Sequence, residues 1–446
     1  MAPSAREGKG GGGPVRLAAR IRRGRAETGL RSGAGRAMRG EMKTILSFAA
    51  LFASVALLQI SSGAVAPLDA LSGLALGFST EAIGLLGSAH FFGFFIGCWW
   101  APRLMGAVGH ARAFAAFTAL GAIGLLAHML LVHPVAWAGM RVMTGLCIAG
   151  CYTVIEAWIN ARVTNATRGR TLGAYRVVDL GASMMAQLMI GVLEPGSYVS
   201  YNLLAILCCA ALLPLTLTRT VQPAMPSAPR LRPRLALRLS PLAVVGVVVA
   251  GLTGAAFRMV GPVFGREVGL PADQIGFFLA AFVLGGALAQ YPVGWLADRF
   301  DRRRVLVWIS VAAIGSCALM GVVGGFGITA IFLASALFGL TTFPVFSVAS
   351  AHANDFASDE ERVELAAALM FFFAVGAIAS PLAASVLLEN LGPPGLFGMI
   401  AAGHVGLIAF GFARMRARPS PEARTSYVYT PRTSFLIGRL LKRERE

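Results

Sequence analysis

Acidic side chains are scarce in this chain: 21 Asp and Glu stand against 39 Lys and Arg in 446 residues. Charged residues of all kinds amount to 13%, against 56% hydrophobic ones, and the mean hydropathy is +0.70. That little charge excludes an ordinary soluble globular domain, in which about a quarter of residues are charged. Cysteine is sparse too. Cys98, Cys147, Cys151, Cys208, Cys209 and Cys317 all fall inside apolar stretches, and no loop holds a pair, so neither a disulfide framework nor a metal-ligand spacing is suggested. Gly8–Gly13 has neither the Lys-Ser/Thr nor the strand that a phosphate loop needs. No nucleophile triad and no His/Cys/carboxylate cluster gathers at one place. No cofactor, no metal and no enzymatic activity are expected.

What the chain has instead is a dozen apolar stretches between residues 44 and 413. A run of about 20 apolar residues at ~1.5 Å rise matches a ~30 Å hydrocarbon core, and such runs must be helical because lipid offers no partner to a backbone N–H or C=O. The pattern predicts an all-α integral membrane protein with spans near 44–67, 82–102, 112–132, 136–159, 171–193, 200–218, 241–264, 274–296, 304–324, 328–351, 365–388 and 395–413.

The net charge of +18 is placed unevenly. Residues 1–43 hold 11 Lys and Arg, residues 414–446 hold 9, and the body holds 19 against 15 acids. Basic flanks beside a membrane are a topology signal, so nucleic acid is not an expected partner; the bilayer is. The arginines of the even-numbered connections (among them Arg103, Arg112, Arg162, Arg170, Arg232 and Arg304) face essentially Arg266 alone in the odd-numbered ones. This asymmetry puts both termini in the cytoplasm of a bacterial inner-membrane protein. The first 40 residues, rich in Gly, Ala and Arg, read as a disordered tail, and Met38 or Met42 is an alternative start.

The domain reading is a basic tail at 1–43, a six-helix bundle at 44–218, a cytoplasmic linker at 219–240, a second six-helix bundle at 241–413 and a basic tail at 414–446. The halves echo each other. Pro67 matches Pro262, Ile83-Gly84 matches Ile275-Gly276, Ala101-Pro102-Arg103 matches Ala297-Asp298-Arg299, and Gly145…Asn160 matches Gly339…Asn354. Two related halves imply a pseudo-two-fold axis along the membrane normal and a site between them at mid-depth.

The connection after the eighth span reads Gly294-Trp295-Leu296-Ala297-Asp298-Arg299-Phe300-Asp301-Arg302-Arg303-Arg304. It resembles the G-x-x-x-D-R-x-G-R-R loop of the major facilitator superfamily, with Asp301 in place of the usual Gly. The first-half copy around Trp100-Ala101-Pro102-Arg103 has Pro102 where the acid would stand, and Arg141-x-x-x-Gly145 is similar to the family's fourth-span signature. Glu156-Ala157-Trp158-Ile159-Asn160-Ala161-Arg162 and His352-Ala353-Asn354-Asp355 resemble the YcaD-like branch of bacterial members. The resemblance covers about residues 44–413. It implies a secondary active transporter working by alternating access on a small-molecule substrate, and the branch brings no settled substrate; proton coupling is expected from Asp179, whose burial and neighbouring Arg176 act on it in opposite directions, and a monomer is expected.

The resemblance also implies that the loop motif, with Gly294, Asp298 and Arg299, latches the halves together. A carboxylate such as Asp298 could dock on the free N–H groups that begin the fifth helix near Gly169–Leu172, making charge-assisted bonds in one state only. Arg141, near the outer face and able to snorkel, and Glu156, near the cytoplasmic end with loop arginines such as Arg162 as partners, read as gating or structural residues. Glu360, Glu361 and Glu364 are further partners for loop arginines.

Ionisable groups inside a membrane are costly and are functional candidates by default. Arg176, Asp179, Ser183 and Gln187 form a polar stripe on the fifth span, at ~100° per residue within about 80° of one another, and that stripe should line a cavity. Arg258 lies deep in the seventh span beside Gly254 and the Gly261-Pro262 break, and offers a planar fork for a carboxylate or phosphate. Gln59 and Ser62 on the first span supply neutral hydrogen bonding for substrate, and His90 is a further cavity candidate. Two arginines against one aspartate favour an anionic or polar metabolite. The alternative is a proton-driven exporter of drug-like amphiphiles, kept open by Gly376-x-x-x-Ser380-Pro381 although Leu180–Gly191 has no proline. A membrane enzyme or a non-transporting sensor is a remote alternative. Phe435 to Leu441, flanked by Arg439, Lys442 and Arg443, suggests a short interfacial helix on the inner leaflet.

Overall fold

The structure is a computed structural model, and it describes residues 48–163, 167–217 and 230–417, with 425, 427, 428, 432–435, 438 and 439. The N-terminal tail with Gly8–Gly13, Met38 and Met42, linker residues 218–229, and the remainder of the C-terminal tail lie outside the described residues. Contacts divide the chain into Met1–Ala50 and Leu51–Glu446. Of the first unit only residues 48–50 are described, as helix.

Twelve long helices are described: α1 (Phe48–Ala75), α2 (Thr80–Val108), α3 (His110–Ala127), α4 (Pro134–Asn160), α5 (Arg168–Met189), α6 (Tyr198–Leu217), α7 (Pro241–Glu267), α8 (Ala272–Arg299), α9 (Arg302–Phe326), α10 (Ile328–Asn354), α11 (Arg362–Leu391) and α12 (Pro393–Ala417). A short helix, Pro233–Leu239, precedes α7. Local chemistry sets the starts. Ser79, Ser197 and Ser240 accept a backbone N–H at the heads of α2, α6 and α7, and Pro134 and Pro241 stand in the first turn, where a missing N–H costs nothing.

Eleven of these helices are long and apolar enough to cross a membrane. The exception is α5, long enough at 22 residues but carrying Arg168, Arg170, Arg176 and Asp179. Large apolar side chains such as Ile206, Leu288 and Leu333 are exposed within spans. In water such a surface would aggregate; in a bilayer it meets acyl chains. The chain is a multi-pass membrane protein of two pseudo-symmetric six-helix bundles.

The first span is longer than its sequence suggested. Pro67 does not end α1, which continues to Ala75 and carries Asp69 with it. A proline costs the helix one N–H bond and crowds the carbonyl four residues before it, and packing holds the helix through it: Ala66, Leu68 and Ala70 are all buried. Pro262 likewise lies inside a continuous α7. Across the halves α2 packs along α11 and α5 meets α8, while α7 packs along α11 within its own half. A core cluster including Phe94, Ala149, Val247, Val293, Phe346 and Phe373 joins the two bundles.

Candidate functional site

The two bundles enclose a cavity whose empty space, open solvent included, is about 1110 Å³. Gln59 and Ser62 (α1), His90 (α2), Tyr152 (α4), Asp179 and Ser183 (α5), and Thr253 and Arg258 (α7) supply its polar wall; Phe91, Phe94, Phe282, Phe343 and Phe373 supply rings. Arg258 is exposed although its neighbours Phe257 and Met259 are buried, so its guanidinium opens on the cavity.

The centre of the first-half wall is a chain of three side chains. The Tyr152 hydroxyl lies 2.9 Å from Asp179 Oδ1 and 2.5 Å from Gln59 Oε1. One hydroxyl has one proton, so Tyr152 can donate to Asp179 or to Gln59 but not to both, and two arrangements follow naturally from the charge on Asp179. With Asp179 ionised, Tyr152 donates to the carboxylate and Gln59 must turn its amide N–H₂ to the phenol oxygen. With Asp179 protonated, the acid donates to Tyr152 and Tyr152 donates to Gln59 Oε1. Sequence reading had no signal for Tyr152, since a lone tyrosine in an apolar span usually packs.

Of the predicted α5 stripe, Asp179 and Ser183 reach the cavity. Arg176 instead lays its guanidinium over the Tyr175 ring at 5.0 Å. Gln187 is buried and donates to the Gly63 carbonyl at 3.0 Å, tying α5 to α1.

Arg141 does not snorkel. It is buried, with its Nε 3.4 Å from Asp69 Oδ2 and both side chains sealed. Asp69 also accepts from Tyr201 at 2.8 Å and has His128 Nε2 at 3.5 Å, so one carboxylate ties α1 to α3, α4 and α6. A charge in this position is tolerated because its partners surround it; solvating the arginine at the interface would strand the aspartate. Sequence reading missed Asp69 because it followed the expected end of the first span.

At the end of the bundles away from the chain termini, the halves are shut. Gly84 of α2 sits so close to Ser385 and Pro381 of α11 that no Cβ would fit, and a Cβ on Gly276 of α8 would come within 2.7 Å of the Gln187 carbonyl of α5. These are the two glycines of the Ile-Gly echo. Each is a close-approach point of its own half against the other.

At the arginine-rich end the gating candidates take partners that the sequence did not indicate. Asp298 accepts the Tyr427 N–H at 2.7 Å and lies 3.4 Å from Arg302. Arg299 stacks over Trp295 at 5.2 Å, and a side chain on Gly294 would strike the Tyr427 ring. Arg302 is buried, donating to the Ala351 carbonyl at 2.8 Å and to Asp355 at 2.6 Å. Asp301, the departure from the loop pattern, caps α9 through the Arg303 N–H at 3.0 Å and pairs with the Arg303 guanidinium at 2.7 Å. Glu156 is buried and does not pair with Arg162, which lies over Trp158 at 5.0 Å. Its carboxylate accepts the hydroxyls of Thr433 and Ser434 and, at 3.4 Å, of Tyr175. Glu361 and Glu364 do pair with linker arginines, Arg238 at 2.9 Å and Arg232 at 2.8 Å. Of the expected interfacial helix, Ser434 and Phe435 are not helical and are buried in protein, Gly438 and Arg439 are helical, and Leu436, Ile437, Leu440 and Leu441 lie outside the described residues.

A model of the Major Facilitator Superfamily matches residues 243–445. An uncharacterized MFS-type transporter of Enterobacter sp. (strain 638) is 29% identical over 351 residues, covering 78% of this chain and 88% of the relative. The uncharacterized MFS-type transporter YcaD of Salmonella newport (strain SL254) is 30% identical over 334 residues, covering 72% of this chain and 84% of the relative. Among solved structures, the nucleoside transporter NupG is similar with a TM-score of 0.69 and 15% identity over 84% of this chain and 100% of that one. A bacterial homolog of the human lysosomal transporter Spinster, inward-facing and occupied, has a TM-score of 0.69 and 16% identity over 85% of this chain and 98% of that one.

Proposed function

The chain belongs to the major facilitator superfamily, and from that premise we propose a proton-coupled secondary active transporter of the bacterial inner membrane. In this reading both termini are cytoplasmic, the monomer is the working unit, and the substrate is a small anionic or polar metabolite. The observation that carries it is the juxtaposition of Arg258 with the Gln59–Tyr152–Asp179 chain across one cavity. The guanidinium fork pairs with a carboxylate or phosphate of the solute, and Gln59 and Ser62 bond its neutral groups. Asp179 takes up the proton, and the two proton arrangements report its state to Gln59, so that a proton changes the hydrogen bonds offered to substrate.

Alternating access then requires the contacts at Gly84 and Gly276 to part while the arginine-rich end closes. In that second state Asp298 exchanges the Tyr427 N–H for the free N–H groups that begin α5. The five phenylalanines of the cavity favour a second reading, export of an amphiphile, because rings bind apolar bodies of varied shape.

Two experiments separate these. In a thermal-shift screen of purified protein against anionic metabolites, sugars and cationic drugs, anionic hits lost in Arg258→Ala support the metabolite carrier, since a ligand at a hundredfold excess over Kd stabilises by roughly 2.7 kcal/mol. Cationic hits that persist in that variant replace it with the exporter. With a ligand in hand, Asp179→Asn should abolish proton-driven flux in proteoliposomes and leave counterflow exchange intact. Survival of both would make Asp179 structural.

A further inference from the structure

Beyond α12, described residues of the C-terminal segment are packed in the protein. Ser434 and Phe435 are buried, at 0% and 3% exposure, and Thr433 is 8% exposed. Arg432 and Thr433 line the cavity itself, beside Asp179 and Arg258. The Arg432 guanidinium lies over three rings of the second half, Phe343 at 5.0 Å, Phe373 at 5.5 Å and Phe346 at 5.9 Å. Gly254 of α7 faces it, and a Cβ there would lie 3.6 Å from its guanidinium, at ordinary contact distance.

The segment grips both halves. Thr433 and Ser434 bind Glu156 of α4, and Phe435 meets Phe95 of α2 edge-on at 6.3 Å. Thr425 binds Asp355 and Arg302, and the Tyr427 hydroxyl reaches Gln290 of α8 at 3.3 Å. Glu156 therefore has as partners two hydroxyls from a segment 277 and 278 positions away in sequence. A buried carboxylate with donors from a tail is a docking point, because losing the tail leaves it undersatisfied.

We propose that the described residues here, Thr425, Tyr427 and Arg432 to Phe435, act as a built-in plug of the transport cavity, with Arg432 at its tip. At the arginine-rich end these residues pack between the bundles, joined to Glu156 and Phe95 of one and to Asp355 and Gln290 of the other, while the opposite end is shut at Gly84 and Gly276. The plug thereby stabilises that state, blocks entry from the side carrying the termini, and must withdraw before the halves close over a solute. Solute and Arg432 compete for one volume. The grip also explains the composition of the segment: an otherwise basic tail carries Tyr427, Thr433, Ser434 and Phe435, the residues that a buried position needs and a solvated one does not.

The test needs no knowledge of the solute. A reporter cysteine, Thr253→Cys, is placed on the cavity wall, and its alkylation by a membrane-impermeant maleimide is timed in vesicles that expose the side carrying the termini. The native cysteines provide the background. Labelling several-fold faster in a chain ending at Ala417 supports the plug, and equal rates overturn it. Should the shortened chain fail to accumulate, Phe435→Asp in the full chain decides, with the same two outcomes. A second measurement fixes the segment in place. A Cβ on Gly438 would lie 2.7 Å from that of Ala366, nearer than the roughly 3.5–4.5 Å of a disulfide, so a bridge here needs the two backbones to ease apart by about an ångström. The pair Gly438→Cys and Ala366→Cys should cross-link under oxidation and slow labelling of the reporter; no cross-link by mass spectrometry, or a cross-link that leaves the rate unchanged, counts against the proposal.

Discussion

Arg141 and Asp69 stand 3.4 Å apart with both side chains buried, a charge pair between α4 and α1. Removing one member strands the other. Asp69→Asn should lower stability by about 3–5 kcal/mol, the usual cost of an unpaired buried charge, whereas Asp69→Asn with Arg141→Met should recover much of it. Thermal unfolding in detergent of the two variants checks this, and a double variant no better than the single one would show that the pair adds stability rather than merely balancing itself.

Tyr152→Phe removes the hydroxyl that links Asp179 to Gln59 while keeping the ring. If the proton arrangement of that trio governs substrate binding, the variant should still bind ligand, yet lose the pH dependence of binding. Ligand titrations at about pH 5.5 and 7.5 on wild type and variant supply the comparison; an unchanged pH dependence would remove Tyr152 from the coupling path.

Gly84→Val should hold the far end of the bundles open, because its branches would collide with Ser385 and the Pro381 carbonyl. The expected result is that Thr253→Cys becomes reachable by an impermeant maleimide from the side opposite the termini. Gly106→Val on the same helix, where a Cβ meets nothing, is the control.

Burial raises the Asp301 carboxyl, but the Arg303 N–H and guanidinium outweigh it and hold it below the ordinary carboxylate range. The sign follows: a carboxylate depressed in the folded state contributes stability above its unfolded pKa of about 3.9, and that contribution is lost as pH falls through the folded value. Melting curves from pH 6 down to pH 3 should converge for wild type and Asp301→Asn at the acid end and differ at pH 6.

The legible part of this protein was its periodicity and its costly residues. Eleven of the helices are legible by hydropathy, α5 is legible as the polar one among them, and Asp179 and Arg258 stood out because charge in lipid demands a reason. The Ile-Gly echo at Gly84 and Gly276 was visible as repetition, and its meaning came only from which helices approach there. Asp69 was illegible because Pro67 read as a stop and a charge after it read as a loop; only His128, Arg141 and Tyr201, 59 or more positions away, explain it. The C-terminal segment was misread for a related reason. Basic residues at a chain end suggest water or lipid headgroups, and no local pattern announces that Glu156 is waiting for Thr433 and Ser434. What sequence conveys poorly is a polar group whose partner lies far along the chain.

The polarity of α5 has a consequence for how the protein is made. A helix that must present Asp179 and Arg176 at membrane depth faces a penalty of about 2.5–3.5 kcal/mol for each such charge at the centre of an isolated span. Its partition into lipid during synthesis therefore depends on company: α4 brings Tyr152 and α1 brings Gln59 and Gly63, and both are translated earlier. The order of the genes' reading is thus also an order of rescue, in which α1 and α4 wait in the bilayer to receive the one helix that could not enter alone.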